Sequence, residues 1–205
     1  MTALAEALAA LGLPTALAGP LNDYAALFQK WNRRINLSAA RSEPELHDHI
    51  IDCLHLLPHL RTTVLPTPVS PDATAPRILD VGAGGGLPAA VVAVCMPDAH
   101  IVALEPVHKK HAFLRTVARE LALPNLEALS ERLEDHAAGD YSVAMSRATL
   151  DLHDWLVAGL ERVAPGGVVF GFEAIPRTDL PPGTQRYPYT HLGKSRAIVA
   201  LRRSP

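Results

Sequence analysis

This 205-residue chain predicts an α/β sheet wound on both faces, seven strands in all, closed by an antiparallel hairpin. Three observations carry that prediction. Arg77 to Pro88 reads RILDVGAGGGLP, an apolar strand that breaks into a glycine turn and then opens an apolar helix. Further strand-like runs follow, separated at first by helical stretches, which is the pattern of a parallel sheet with crossover helices. The last two runs lie too close together for a helix to join them, so the sheet should end in a hairpin.

In chain order, residues 21–35 put Leu21, Tyr24, Leu27, Phe28, Trp31 and Ile35 at helical spacing beside Lys30, Arg33 and Arg34. Ser42-Glu43-Pro44-Glu45 resembles a capping box, and the helix after it carries Leu46, Ile50, Cys53, Leu54, Leu57 and Leu60 on one face. His47, His49, His55 and His59 crowd this region. His47 meets Ile51 four residues on, and Pro58 disturbs the helix between His55 and His59. They are expected to be ordinary helix-surface histidines, with no metal. Residues 62–76 hold four prolines among small polar residues and read as a linker. The organisation expected is therefore a helical extension over 1–61 packed on the main domain, a linker over 62–76, and an α/β domain over 77–205.

Within that domain Ile78, Leu79 and Val81 form the first strand, with Asp80 near its end. Gly82, Gly84, Gly85 and Gly86 permit positive φ and leave no Cβ in the way of a ligand. Such a bend between strand and helix is where doubly wound sheets hold a nucleotide-type ligand, and the helix after Pro88 should point its free N–H groups at the turn. His100 to Leu104 is the second strand. It ends in Glu105, 23 residues after Gly82, where such folds bind ribose hydroxyls. A helix over 107–121 follows, then strands at Leu126–Leu129 and Tyr141–Ser146, the latter ending in Arg147. A helix from Leu152 to Val163, a Pro165-Gly166-Gly167 turn and a strand at Val168–Glu173 come next. Two short strands near Gln185–Thr190 and Ala197–Arg202 complete the sheet.

Composition bounds the rest. Two cysteines, Cys53 and Cys95, sit in apolar surroundings and suit buried free thiols in a reducing compartment. The first residues contain Glu6 and no basic segment, unlike a signal peptide, and the longest uncharged apolar run, Leu87 to Pro97, is too short to cross a bilayer. A cytoplasmic protein is expected. The formal net charge of −2 makes no global case for nucleic acid, so a local basic patch would have to carry it.

Six short motifs in order resemble the RsmG (glucose-inhibited division protein B) family. Trp31-Asn32-Arg33-Arg34-Ile35-Asn36-Leu37-Ser38 is similar to WNxxxNLT, and His49 to Leu54 to HxxDSL. Asp80 to Pro88 is similar to DxGxGxGxP. Glu105 with Lys109-Lys110 and Phe113-Leu114 matches the family's acid followed by KR and FL. Arg132-Leu133-Glu134 resembles RxE, and Ser146-Arg147-Ala148 resembles SRA. The resemblance implies a Rossmann-like methyltransferase sheet, S-adenosyl-L-methionine as cofactor, and N7 of a guanine in 16S ribosomal RNA as acceptor, presented on naked RNA or on an assembled small subunit. It also implies that the cofactor lies over the glycine turn, against Gly82, Gly84, Gly86 and Leu87. Glu105 would take the ribose, Leu133 and Glu134 the adenine end, and Arg147 would bind the cofactor and line the active-site side. Asn36, Asp52 and Arg147 are the residues expected to position substrate. Guanine N7 already carries an in-plane lone pair, so no general base is required. Lys30, Arg33, Arg34, Lys109 and Lys110 are the candidate RNA contacts, and a monomer is expected.

This chain departs from the family pattern at several points. Ala89 stands where a glycine is expected, Glu105-Pro106 replaces Asp-Ser, Cys53 replaces a serine, and Glu173 follows the fifth strand where a lysine is usual. That charge reversal, with the short tail, leaves open a small-molecule methyltransferase on the same sheet. A non-catalytic binding module is the alternative of another class.

Overall fold

The glycine turn lies at the carboxyl end of a central strand. The computed structural model describes residues 2–64, 75–137, 139–147 and 149–205. Seven strands, β1 (Arg77–Val81), β2 (His100–Leu104), β3 (Leu126–Leu129), β4 (Tyr141–Ser146), β5 (Val163–Glu173), β6 (Gln185–His191) and β7 (Lys194–Arg202), form one sheet in the order β3-β2-β1-β4-β5-β7-β6. β1 pairs in parallel with β2 and with β4, so the order reverses beside it and opens a crevice beyond its carboxyl end. β5 and β7 are antiparallel, as are β6 and β7. Leu192 and Gly193, at φ 51° and 70°, make the two-residue turn between β6 and β7, the mirror-image turn whose twist suits a hairpin.

Side chains alternate across the sheet. Ile78, Ile101, Val143 and Phe170 face one core, and Leu79, Val102, Ala144 and Val169 the other. Pro165-Gly166-Gly167 does not precede the fifth strand; it lies inside β5 as an irregularity. Tyr141 pairs with Val163 and Val143 with Val168, so β5 carries extra residues at this point. Gly166, at φ 78°, allows the bend, and its N–H donates to the Arg203 carbonyl. The preceding helix is correspondingly shorter than expected, because Val163 is taken up by strand pairing.

The helices are α1 (Ala3–Ala10), α2 (Ala18–Ile35), α3 (Glu43–Leu54), α4 (Leu57–Val64), α5 (Ala89–Cys95), α6 (His108–Glu120) and α7 (Leu152–Leu160). α7 stands over the core lined by Leu79 and Val169, and Trp155 Nε1 donates to the Phe170 carbonyl at 2.8 Å. The other helices build the larger core. α1, not foreseen from the sequence, is capped by the Thr2 hydroxyl and buries Leu4 and Leu8 completely. α2 packs on α3, α5 and α6. Ser42 caps α3 through the Glu45 N–H, but Glu45 returns the bond to the Arg41 N–H rather than to that of Ser42. The box is thus displaced by one residue. α3 stops at Leu54 and the chain restarts as α4 with Pro58 in its first turn, where its missing N–H costs nothing. Of the proline-rich stretch 62–76, residues 65–74 lie outside the described set, and residues 62–64 continue α4.

Candidate active site

The turn after β1 follows its glycines closely. Gly82, Gly84 and Gly86 have φ of 68°, 59° and 89°, values that L side chains adopt only under strain. Each glycine serves a different neighbour. A Cβ at Gly84 would find nothing nearer than the Gly82 carbonyl at 3.8 Å, so this backbone faces open space. A Cβ at Gly85 would meet the Phe28 ring at 2.3 Å. Gly86 faces inward, where a Cβ would press on Ala90 and Leu114. Phe28 comes from α2, and its neighbour Tyr24 donates its hydroxyl to the Gly85 carbonyl at 2.6 Å. Both rings are fully buried, and edge contacts run from Tyr24 to Phe28 and on to Phe113 of α6. The N-terminal helices therefore form the floor beneath the turn.

Four acidic or hydroxyl side chains fix the turn from its other sides. Glu105 accepts from the Gly84 N–H and from the Val107 N–H, one on each carboxylate oxygen, both at 2.8 Å. Asp80 accepts from the Ala89 N–H at 2.9 Å. The start of α5 is thus capped by the strand's own acid instead of presenting that N–H to a ligand. Asp80 is buried, its second oxygen has no partner among the described residues, and burial pushes its carboxyl up to about 8. Ser146 and Thr149 donate to the carbonyls of Val81 and Gly82.

These residues line a cleft of about 410 Å³ that includes Gly82, Gly84, Leu87, Glu105, Lys110 and Arg147. Its backbone cradle is open where Gly84 lacks a Cβ. Each Glu105 oxygen, bonded once, keeps a lone pair for a ribose hydroxyl. The residues present therefore fit a nucleoside-bearing cofactor. Leu133 packs against the core beneath α7, Glu134 is exposed, and neither lines this cleft. Ala89 is fully buried in the core, and its methyl group does not reach the cleft.

A second cleft, of about 630 Å³, adjoins the first through Arg147, which lines both. Asp52, at 3% exposure, is its organising group. One of its oxygens accepts from the Tyr189 hydroxyl at 2.8 Å, the other from Arg147 Nη1 at 3.2 Å, and Arg196 Nη1 reaches both at 3.1 Å. Arg147 also donates to the His49 carbonyl. Two guanidinium groups on one carboxylate leave a net positive charge at the junction of the clefts. Burial, then the Arg147 charge, lowers the His49 pKa and favours its neutral ring. Burial likewise pushes the Cys53 thiol, beside Asp52, up to about 12, which rules it out as a thiolate nucleophile.

Glu173 also lines the second cleft, but its charge is matched. It is buried, accepts from the Arg177 N–H, and pairs with Arg186 through two guanidinium nitrogens. The acid where the family has lysine is thereby neutralised by the hairpin.

Other expected residues lie elsewhere. Asn36 is the left-handed C-cap of α2, at φ 58°, exposed and outside both clefts. Asn32, one turn earlier, does the local work: its amide donates to the Ala40 carbonyl and accepts from the Ser38 N–H. That holds Leu37 and Ser38 at the rim of the first cleft. Lys30, Arg33, Arg34 and Lys109 are exposed and Lys110 is half-buried, and none has an ion-pair partner among the described residues. His55 and His59 are not bare surface histidines; they stack on Tyr189 and Tyr187 of β6 at 4.1 and 4.0 Å between ring centroids. The sequence carries no signal for Tyr189, Arg196 or Phe28 at the site, since nothing in their neighbourhoods points to Asp52 or to Gly85. Ala148, of the Ser146-Arg147-Ala148 motif, lies outside the described residues.

A family model, GidB, described as rRNA small subunit methyltransferase G, matches residues 18–179. Ribosomal RNA small subunit methyltransferase G of Burkholderia pseudomallei (strain 668) is 37% identical over 180 residues, 84% of this chain and 74% of its own. The protein of the same name from Burkholderia ambifaria (strain MC40-6) is 36% identical over 185 residues, 85% of this chain and 77% of its own. Among solved structures, cofactor-bound Rv0187 from MTB superposes with a TM-score of 0.60 at 16% identity over 91% of each chain, a likeness of fold. A glycine-turn cleft joined to a second, arginine-lined cleft, on a sheet of this order, is what these comparisons meet: the chain belongs to the GidB family of rRNA small subunit methyltransferase G proteins.

Proposed function

We propose that the chain methylates N7 of a guanine in 16S ribosomal RNA of the small subunit, using S-adenosylmethionine. Family membership supports the reaction class, and the observation that carries the reading is the meeting of the two clefts at Arg147. In this proposal the cofactor lies along Gly82, Gly84 and Leu87 with its ribose on Glu105, and supplies an electrophilic methyl group. The lone pair of N7 needs no base, so the protein's contribution is alignment in a site with little water, worth several kcal/mol when reacting atoms are held in line. Asp52 keeps the Arg147 and Arg196 guanidiniums in place, and their free N–H groups can donate to acceptors on the target base. Leu133 and Glu134 would reach the adenine end if the loop they occupy closes over the first cleft. Asn36 would act through the rim it terminates.

The guanine itself must be unstacked or in a loop, because the major groove of paired RNA is too deep and narrow to admit a protein cleft. Lys30, Arg33, Arg34, Lys109 and Lys110 are proposed phosphate contacts. The N-terminal helices through α4, the proline-rich stretch after them and the sheet domain over 77–205 are proposed to work as a cytoplasmic monomer. No helix among the described residues is long and apolar enough to cross a membrane.

The test is incubation of the protein with labelled S-adenosylmethionine and small subunits lacking the modification, followed by mapping of 7-methylguanine. One labelled guanine in 16S RNA is the expected result. Label only in small molecules of an extract would favour the small-molecule reading. No cofactor binding at millimolar concentration would sink both.

A further inference from the structure

Helices α2 and α6 enclose a groove of about 350 Å³ whose floor and rims differ in chemistry. Leu27, Trp31 and Ile35 form an apolar floor, half-buried, with the Trp31 ring tilted against Phe113 beneath it. Lys30 and Arg34 of α2 stand on one rim, and Arg119 of α6, with Glu120 beside it, on the other. A shallower hollow continues along α6 past Arg115. Lys30, Arg34 and Arg115 have no ion-pair partner among the described residues, and Arg119 meets only its own neighbour Glu120. In a chain of net charge −2, so many cations on one groove mark it out from the rest of the surface.

The same two helices lead to the first cleft. α2 runs towards it, ending at the loop that supplies Leu37 and Ser38, and α6 starts from it, with Lys110 in its first turn. We propose that this groove is a docking track for an unpaired strand of the RNA substrate, with phosphates on the cationic rims and bases over the Trp31 floor. It rests on the proposed RNA substrate, adds Arg115 and Arg119, which no motif singled out, and gives Trp31 of the first motif a base-stacking role. An unpaired strand fits better than a duplex. A duplex hides its base faces and offers phosphates only, which would leave an apolar floor uncovered. Cations flanking an aromatic floor are the usual arrangement for single strands. A strand held here would enter the first cleft beside Lys110.

The experiment uses the full chain carrying Arg115→Glu and Arg119→Glu together, with Lys194→Glu at the exposed start of β7 as control. Binding to full-length 16S RNA is followed by fluorescence anisotropy over a series of KCl concentrations. S-adenosylmethionine affinity is measured in parallel as the check on folding. The double variant should bind RNA at least about tenfold more weakly at 0.1 M KCl, with the slope of log K against log salt smaller by about 0.7 for each phosphate no longer neutralised. Cofactor affinity should stay unchanged, and the control should match wild type in both. Poly(U) should compete with the RNA better than poly(A)·poly(U) duplex, and polyglutamate should compete poorly. An unchanged salt slope in the double variant overturns the proposal, as does equal competition by the duplex or by polyglutamate, which would mark a generic anion surface. If wild type binds RNA in this way but transfers no methyl group to small subunits, the groove stands and the proposed reaction fails.

Discussion

The two clefts that meet at Arg147 are built in opposite ways. The glycine-turn cleft takes its backbone from one continuous stretch, Gly82 to Leu87, closed by Glu105 from the next strand. The second cleft takes Asp52 from α3, Arg147 from the end of β4, and Tyr189 and Arg196 from the hairpin. No two of these last groups are near in sequence except within the hairpin itself. The first is held mainly by backbone conformation and hydrogen bonds to backbone, the second by side-chain charge. A change at one glycine should therefore damage the first cleft locally. Loss of one carboxylate should disorganise the whole of the second.

The largest effect is expected from Asp52→Ala. It strands two partly buried guanidiniums, at a cost of about 3 kcal/mol, the lower end for a broken buried pair since both arginines keep some solvent. Misplaced by about 1 Å, Arg147 should lower methyl transfer about 100-fold. Chemical denaturation and single-turnover transfer measure both, and cofactor affinity within about threefold of wild type would confirm that the clefts are separable. Equal loss of cofactor binding would break the comparison.

Gly85→Ala tests the other side. Its methyl group must displace the buried Phe28 ring, costing about 1–3 kcal/mol. Calorimetric titration should show weaker S-adenosylmethionine binding, while RNA binding in the absence of cofactor stays as in wild type. Tyr24→Phe removes only the hydroxyl that holds the Gly85 carbonyl and should cost about 1 kcal/mol of stability. It should raise the KM for cofactor without changing kcat.

The smallest effect is a pH dependence confined to the histidine–tyrosine stacks that hold the hairpin behind Asp52. Burial lowers the pKa of His55 and His59 where they stack on β6. The unfolded chain then takes up protons near 6.5, before the folded one does. Stability is fully present above 6.5 and is lost as pH falls through the lowered folded values. The rings are about half exposed, so the thermal midpoint should drop by only about 1–2 °C between pH 7.5 and 5.5 on this account. The double variant His55→Gln, His59→Gln should flatten that part of the profile.

Much of the first cleft was legible because its information is local. Positive φ needs glycine, and a carboxylate at the tip of the second strand has few other partners in reach. The part that was misplaced there is instructive. The N–H at the start of α5 looked free for a ligand, yet Asp80, nine residues earlier, accepts it. The alternation of apolar residues likewise located β1 to β4 to within a residue. It missed the bulge in β5, where Pro165-Gly166-Gly167 has the chemistry of a turn but is held in the sheet by Arg203.

Glu173 shows the opposite limit. In sequence it is a reversed charge where the family carries lysine. In the fold it is a buried acid neutralised by Arg186, thirteen residues away across the hairpin. Asn36 and Asn32 show it again, for two asparagines one helical turn apart cannot be told apart until the helix end is placed.

By itself, the sequence determined the order of the strands and of the helices between them, the hairpin finish, the glycine turn and the acid that meets it, because each depends on residues close along the chain. Only the tertiary structure decided what lies under that turn and what faces it. Phe28 and Tyr24 reach Gly85 across about sixty residues, and Asp52 gathers Arg147 across 95 residues and Tyr189 and Arg196 across 137 and 144. Contacts of that range follow from packing one amphipathic face against another, and periodicity tells which face is buried but not what will cover it.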